Sequence, residues 1–251
     1  MGLSRFLYVL ATAALGVASV STARAEDIAA PERIDLNADP ARASSMAEAG
    51  IGLLSLPGAE LCSNLSCTTG DQSLMLEAWQ LIRPQPQFAL GAGITLGLIP
   101  TSEAPAEQPL NPTDGDEPAS WIDREHSRGY FTAEATGRFY PLTGVRTEAW
   151  VGVTTGLVIV SDTFSSTEDA PDKAFVGPRG VTLRSEGFGI GVAAGGAYAF
   201  GHNWFAGGSL RYANWFLPQN PATSAFGDEA ALTGRVSVFI LGVTIAYRVP
   251  L

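Results

Sequence analysis

The chain has 251 residues, of which 46% are hydrophobic and only 16% charged, with a formal charge of -10. An ordinary soluble domain carries about a quarter charged residues, so part of this molecule is expected to face something other than water. The acidic balance excludes nucleic acid as a partner, because that binding rests on Lys and Arg neutralising phosphates, and a stock of two histidines and three methionines leads us to expect neither metal nor cofactor.

Residues 1–25 read as a secretory signal peptide: a basic start at Arg5, an apolar stretch from Phe6 to Val20, and the small-residue pattern Ala23-Arg24-Ala25 before Glu26. Its removal takes away two of the 15 basic residues and none of the 25 acidic ones, so the formal charge falls from -10 to -12. Residues 26–45 hold two prolines, mixed charge and no periodic apolar face, which predicts a flexible N-terminal segment.

From residue 46 to the end the chain repeats one style. Runs rich in Gly, Ala, Val, Thr and aromatics fall at about 46–56, 73–82, 88–99, 127–140, 147–160, 183–200, 203–216 and 232–249. Between the first two stands "ELCSNLSCTTGD", read as a loop, with the two cysteines of the chain, Cys62 and Cys67. An even number of cysteines in an exported chain predicts a disulfide, with free thiols as the alternative. A lone C-x4-C lacks the second ligand pair of a tetrahedral zinc site.

The runs follow period 2. In the third, Phe88, Leu90, Ala92, Ile94, Leu96 and Leu98 alternate with Ala89, Gly91, Gly93, Thr95, Gly97 and Ile99. In the fourth, Phe131, Ala133, Ala135, Gly137 and Phe139 alternate with Tyr130, Thr132, Glu134, Thr136 and Arg138. The sixth, "GFGIGVAAGGAYAFG", places Phe188, Ile190, Val192, Ala194 and Tyr198 opposite Gly187, Gly189, Gly191, Ala193, Gly195 and Ala197. A helix loses about 1 kcal/mol for each glycine relative to alanine, whereas a strand facing a narrow interior uses small residues to make room for large ones.

Eight such strands can stack as a soluble exported sandwich or close into a barrel with apolar faces toward lipid. Three features favour the barrel. Aromatics gather at the strand ends: Phe88, Phe139, Tyr140, Trp150, Tyr198, Phe200, Trp204, Phe205 and Tyr247 at one, and Phe131, Phe164, Trp215 and Phe216 toward the other. Short connectors alternate with long ones, and the strands are long enough for a tilted crossing of a hydrocarbon layer. An open edge in lipid would leave backbone groups unpaired, so closure is required. The predicted fold class is all-β: an eight-stranded antiparallel transmembrane β-barrel of up-and-down topology over 46–251.

From residue 46 onward the chain resembles the small eight-stranded outer-membrane barrels of Gram-negative bacteria, of the OmpA/OmpX or OmpW type. The sharpest match is the terminus "LGVTIAYRVPL", where Leu241, Val243, Ile245, Tyr247, Val249 and Leu251 share one face. The resemblance implies that Tyr247, Val249 and Leu251 belong to an insertion signal, although the family usually ends in an aromatic residue and this chain ends in Leu251. It also implies residence in the cell outer membrane as a monomer, with residues 26–45 in the periplasm. The partners implied are outer-membrane lipid, lipopolysaccharide and the outer-membrane insertion machinery.

Inward parity collects Glu77, Glu134, Arg138, Glu148, Arg211 and Arg248, read as an ion-pair network filling the lumen, with a polar path for solutes as the alternative. The stretch 101–125 carries seven acids and one arginine and reads as a solvated loop. Its Asp114, Asp116 and Glu117 do not complete an EF-hand. Glu125, His126 and Ser127 stand together, but neighbours on a strand point to opposite faces, and His202 reads as an exposed turn residue, so no catalytic group is expected. The function read from the sequence is a non-enzymatic outer-membrane barrel with long acidic loops and a structural or surface-interaction role. The alternatives are a narrow conduit for small or hydrophobic solutes and the soluble sandwich.

Overall fold

The computed structural model describes residues 43–63, 66–97, 101–109, 121–166, 180–223, 230 and 232–251. The signal peptide, nearly all of the 26–45 segment, and Asp114, Asp116 and Glu117 lie outside the described residues.

The described elements are strands: β1 (Ser44–Ser63), β2 (Ser66–Gln85), β3 (Phe88–Gly97), β4 (Thr101–Pro109), β5 (Trp121–Thr143), β6 (Thr147–Ser166), β7 (Gly180–Ala199), β8 (Trp204–Phe216) and β9 (Arg235–Pro250). All pair antiparallel, and the sheet follows chain order around the wall. β1 also pairs with β9, from Ser44 opposite Pro250 to Ser55 opposite Phe239, which closes the sheet. β3 and β4 lie one after the other along the same edge of β5, so nine strands make an eight-stranded, up-and-down barrel.

One end of the barrel carries the tight connections after β2, β5 and β7; the other carries the connections after β1, β4, β6 and β8. We call these the turn end and the loop end. The turn end also holds both termini of the barrel, tied by the Leu251 amide donating to the Ala43 carbonyl at 2.9 Å. At the loop end, Leu217 N donates to the Gly234 carbonyl at 2.8 Å, and Gly234 N donates to the Pro218 carbonyl at 3.1 Å. Gly234 has φ of 67° there, a conformation other residues adopt only at a cost.

The alternation assigned from the sequence holds along the wall. Phe188, Ile190, Val192 and Tyr198 are exposed on the outside, as are Leu241, Val243, Ile245, Tyr247, Val249 and Leu251. Three readings are corrected. First, "ELCSNLSCTTGD" and much of 101–125 are not plain loops: β1 and β2 run on to Ser63 and Ser66, and Thr101–Pro109 pairs with the start of β5. Apolar alternation cannot reveal a strand whose two faces are both polar. Secondly, Tyr140, Trp150, Phe164 and Trp215 point inward and are buried, and Phe205 packs against an inner cluster, so they fill the lumen instead of the aromatic girdles. Phe88, Phe139, Tyr198, Phe200, Trp204 and Tyr247 remain exposed toward the turn end, with Phe188, Phe216 and Phe239 toward the loop end. Thirdly, the inward face is not small or polar throughout: between mid-height and the loop end Leu54, Leu56, Met75, Val158, Val160, Trp215, Val238 and Ile240 form one buried cluster.

A candidate functional site in the lumen

The lumen is stacked in layers, each set by residues two apart on the strands. Nearest the turn end, Glu148 accepts from Arg83 Nη1 at 2.8 Å and from Arg248 Nη2 at 2.6 Å. Arg83 is held by the Pro86 carbonyl at 2.8 Å and lies over the Tyr140 ring at 3.9 Å. Above it, Arg138 makes a fork contact with both Glu48 oxygens, at 2.9 and 3.2 Å, and stacks on Trp150 at 4.0 Å. Trp150 lies against Gly195 and Trp79 against Gly93, where an added Cβ would meet the indoles at 2.6 and 2.4 Å.

At mid-height one guanidinium serves two carboxylates. Arg211 donates to Glu77 at 2.9 Å and to Glu134, while Trp79 Nε1 donates to Glu77 at 3.1 Å and Thr132 to Glu134 at 3.0 Å. The apolar cluster follows, with Tyr130 and Trp215 rings 5.7 Å apart. At the loop end, Arg128 donates to Asp162 at 2.7 Å and pairs with Asp71 at 3.4 Å, and the Tyr130 hydroxyl donates to Asp71. The Arg128, Asp71 and Asp162 side chains are fully buried.

Charges taken from water at several kcal/mol each are tolerable only when paired and hydrogen-bonded, and each layer pairs its carboxylates with arginine, whose planar fork suits them, while Glu77 Oε1, Arg138 Nε and Arg248 Nε are buried without a hydrogen-bond partner among the described residues. An interior void beside Met46, Glu48, Arg138, Tyr140, Glu148 and Trp150 measures about 10 Å³, room for one water at most. Among the described residues, no set of three or more metal-ligating side chains converges.

The structure places all six lumen candidates inside. Glu77, Glu134 and Arg211 form one group, Glu148 and Arg248 another, and Arg138 bonds instead to Glu48. Sequence reasoning missed Glu48, Arg83, Asp71, Arg128 and Asp162. Glu48 and Arg128 had inward parity within the recognised runs. Arg83, Asp71 and Asp162 stood just beyond the run ends. Of the insertion-signal residues, Tyr247 stacks on Trp204 at 4.9 Å on the outside of the turn end, and Val249 and Leu251 are exposed beside it. Cys62 and Cys67 are register partners on β1 and β2. Glu125, His126 and Ser127 are consecutive on β5, opposite Ser165, Phe164 and Thr163 of β6. His202 is exposed in the turn between β7 and β8.

Closure through β1 and β9, with an apolar outside and a filled inside, is the decisive geometry. The fold is that of the small eight-stranded outer-membrane β-barrels. A major outer membrane protein from Thermus thermophilus superposes with a TM-score of 0.52 at 15% identity, over 82% of this chain and 99% of that one. Neisserial surface protein A matches at 12% identity and a TM-score of 0.45, over 82% and 96%. The attachment invasion locus protein Ail of Yersinia pestis, solved with the heparin analogue sucrose octasulfate, matches at 10% and 0.47, over 83% and 99%. No protein-family model and no curated protein matches the sequence.

Proposed function

We propose that this chain is a non-enzymatic protein of the cell outer membrane, with its turn end in the periplasm and its loop end at the surface, serving a structural or surface-interaction role. The observation that carries the reading is the pairing of an apolar outer wall with a lumen filled by ion pairs and packed side chains. A catalytic site would need a reachable nucleophile or acid–base pair, and a conduit would need a continuous wet path. The luminal charges are instead engaged with one another at hydrogen-bond distance. The short turns and the two termini belong on the periplasmic side by the general habit of such barrels.

The register partnership of Cys62 and Cys67 supports a disulfide near the tip of the β1–β2 hairpin, in keeping with an exported chain. The outward alternation ending in Tyr247, Val249 and Leu251 supports recognition by the outer-membrane insertion machinery. Lipid and lipopolysaccharide are then the surroundings of the wall.

The test is cell fractionation combined with gel migration. The processed chain should appear in the outer-membrane fraction and should migrate differently in detergent gels before and after boiling. Recovery as a soluble periplasmic protein would overturn the reading.

A further inference from the structure

The outer wall between β8 and β9 interrupts the apolar belt. Arg235 Nε donates to Asn214 Oδ1 at 2.9 Å, Ser237 Oγ donates to the same oxygen at 3.3 Å, and the Tyr212 hydroxyl lies 3.3 Å from Ser237 Oγ. Arg235 is the register partner of Phe216, and Phe216 that of Phe188, so the guanidinium stands at the level of the loop-end aromatics. Tyr212 is four residues deeper on β8, about 13 Å along the strand, with its ring against Phe239 at 4.8 Å. The four side chains form a polar ladder that descends from headgroup level into the hydrocarbon.

Polar groups on the lipid face of a barrel destabilise it, increasingly so with depth. Hydrogen bonds within the ladder offset this for the neutral members, but not for the charge. Among the described residues Arg235 makes no ion pair. Its Nε is committed to Asn214, which fixes the plane of the guanidinium, and with no carboxylate partner among the described residues its terminal nitrogens can make a fork contact with an anion.

A second feature meets the ladder at Tyr212. The outer wall from β3 across to β8 carries an apolar groove of about 670 Å³, bordered by Phe88, Phe139, Leu210 and Tyr212 and floored in part by Val192 and Ala194. A fixed cation at headgroup level, joined by hydroxyls to an apolar groove at hydrocarbon depth, complements an amphiphile with an anionic head.

We infer that this face binds one phosphorylated lipid of the loop-side leaflet. Its phosphate accepts from Arg235 and the Asn214 amide nitrogen, and its chain descends past Ser237 and Tyr212 into the groove over Ala194. The inference rests on the outer-membrane reading above and names a specific lipid contact within it.

The test uses the folded barrel in vesicles of phosphatidylcholine doped with diphosphoryl lipid A, extracted into mild detergent and weighed by native mass spectrometry. The wild-type barrel should retain one lipid A. Arg235→Gln should lower the retained fraction about tenfold, equivalent to about 1.4 kcal/mol, and Ala194→Phe, which fills the groove, should also lower it. Arg184→Gln, a cation about 13 Å beyond Phe188 on β7, should leave it unchanged. Gel migration before and after boiling checks that each variant is folded. Retention of lipid A by Arg235→Gln at the wild-type level, equal loss in Arg184→Gln, adducts of phosphatidylcholine alone, or a retained second copy of the chain would each overturn the inference. A wild-type barrel that embeds but carries no lipid A defeats this proposal alone, whereas a wild-type chain that stays soluble defeats the outer-membrane reading.

Discussion

At the scale of single residues, space inside an eight-stranded barrel is the scarce quantity. A Cβ added to Gly191 would stand 2.8 Å from the Tyr212 carbonyl oxygen, 2.9 Å from Ala213 Cβ and 3.0 Å from Thr154 Oγ1. Two of those three are backbone or a rigid methyl group and have little freedom to withdraw. Gly191→Leu should therefore cost at least the 1–3 kcal/mol typical of overpacking, while the neighbouring Ile190→Leu, on the exposed face, should change stability by less than about 0.5 kcal/mol. Urea unfolding of the barrel in detergent micelles checks both, and equal tolerance would mean that the assigned faces are wrong. The mid-height triad makes a second prediction. Arg211→Met leaves Glu77 and Glu134 buried without their shared cation, which should cost about 3–5 kcal/mol. Replacing all three with apolar residues should restore most of that loss, because the desolvation penalty disappears with the charges. The same unfolding series reads the difference.

At the scale of elements, the strands outrun the apolar pattern that reveals them. β5 extends from Trp121 to Thr143 and β1 from Ser44 to Ser63, although alternation marks only about 127–140 and 46–56. Inside lipid the outward face must be apolar, so a strand shows itself; beyond the lipid both faces are polar and only the hydrogen-bond ladder continues. The β1–β2 hairpin is the useful case. Leu56 and Glu60 flank a register shift, after which pairing resumes and brings Cys62 opposite Cys67. A disulfide closing so short a loop is worth about 2 kcal/mol on the chain-entropy model. Mass spectrometry of the alkylated chain should find both thiols protected until reduction, and reduction should leave the barrel folded, because the wall is closed by β1 and β9 and not by this hairpin.

For the whole molecule, the expected electrical behaviour follows from the stacking of layers. Successive levels, from Glu148 with its two arginines to Arg128 with its two aspartates, span the lumen. Between the upper two polar levels lies the apolar cluster around Met75, Val158 and Trp215. An ion crossing would have to break paired charges and then pass an apolar layer with no replacement for its water. Planar bilayers containing the barrel should show no step conductance. Opening the mid-height layer with Arg211→Ala should not create one either, since the apolar cluster still blocks the path. Steps that vanish on altering Glu134 or Arg138 would instead establish the conduit reading.

The sequence by itself determined the strand count, the direction in which each outward residue points and the requirement for closure. These follow from period 2, from the apolar outer face and from the cost of unpaired backbone in lipid, all of which are local or generic. It also marked six lumen charges by parity. Tertiary structure alone decided who pairs with whom: Arg138 with Glu48, 90 positions away, and Arg211 with Glu77, 134 positions away. Partner choice depends on which strands the curved wall sets face to face across the lumen, and parity carries no information about that. The same holds for Trp150 and Trp215, whose position near strand ends reads as a girdle while register turns them inward. It holds equally for the outward ladder from Arg235 to Tyr212, which exists only because β8 and β9 place four unremarkable polar residues side by side.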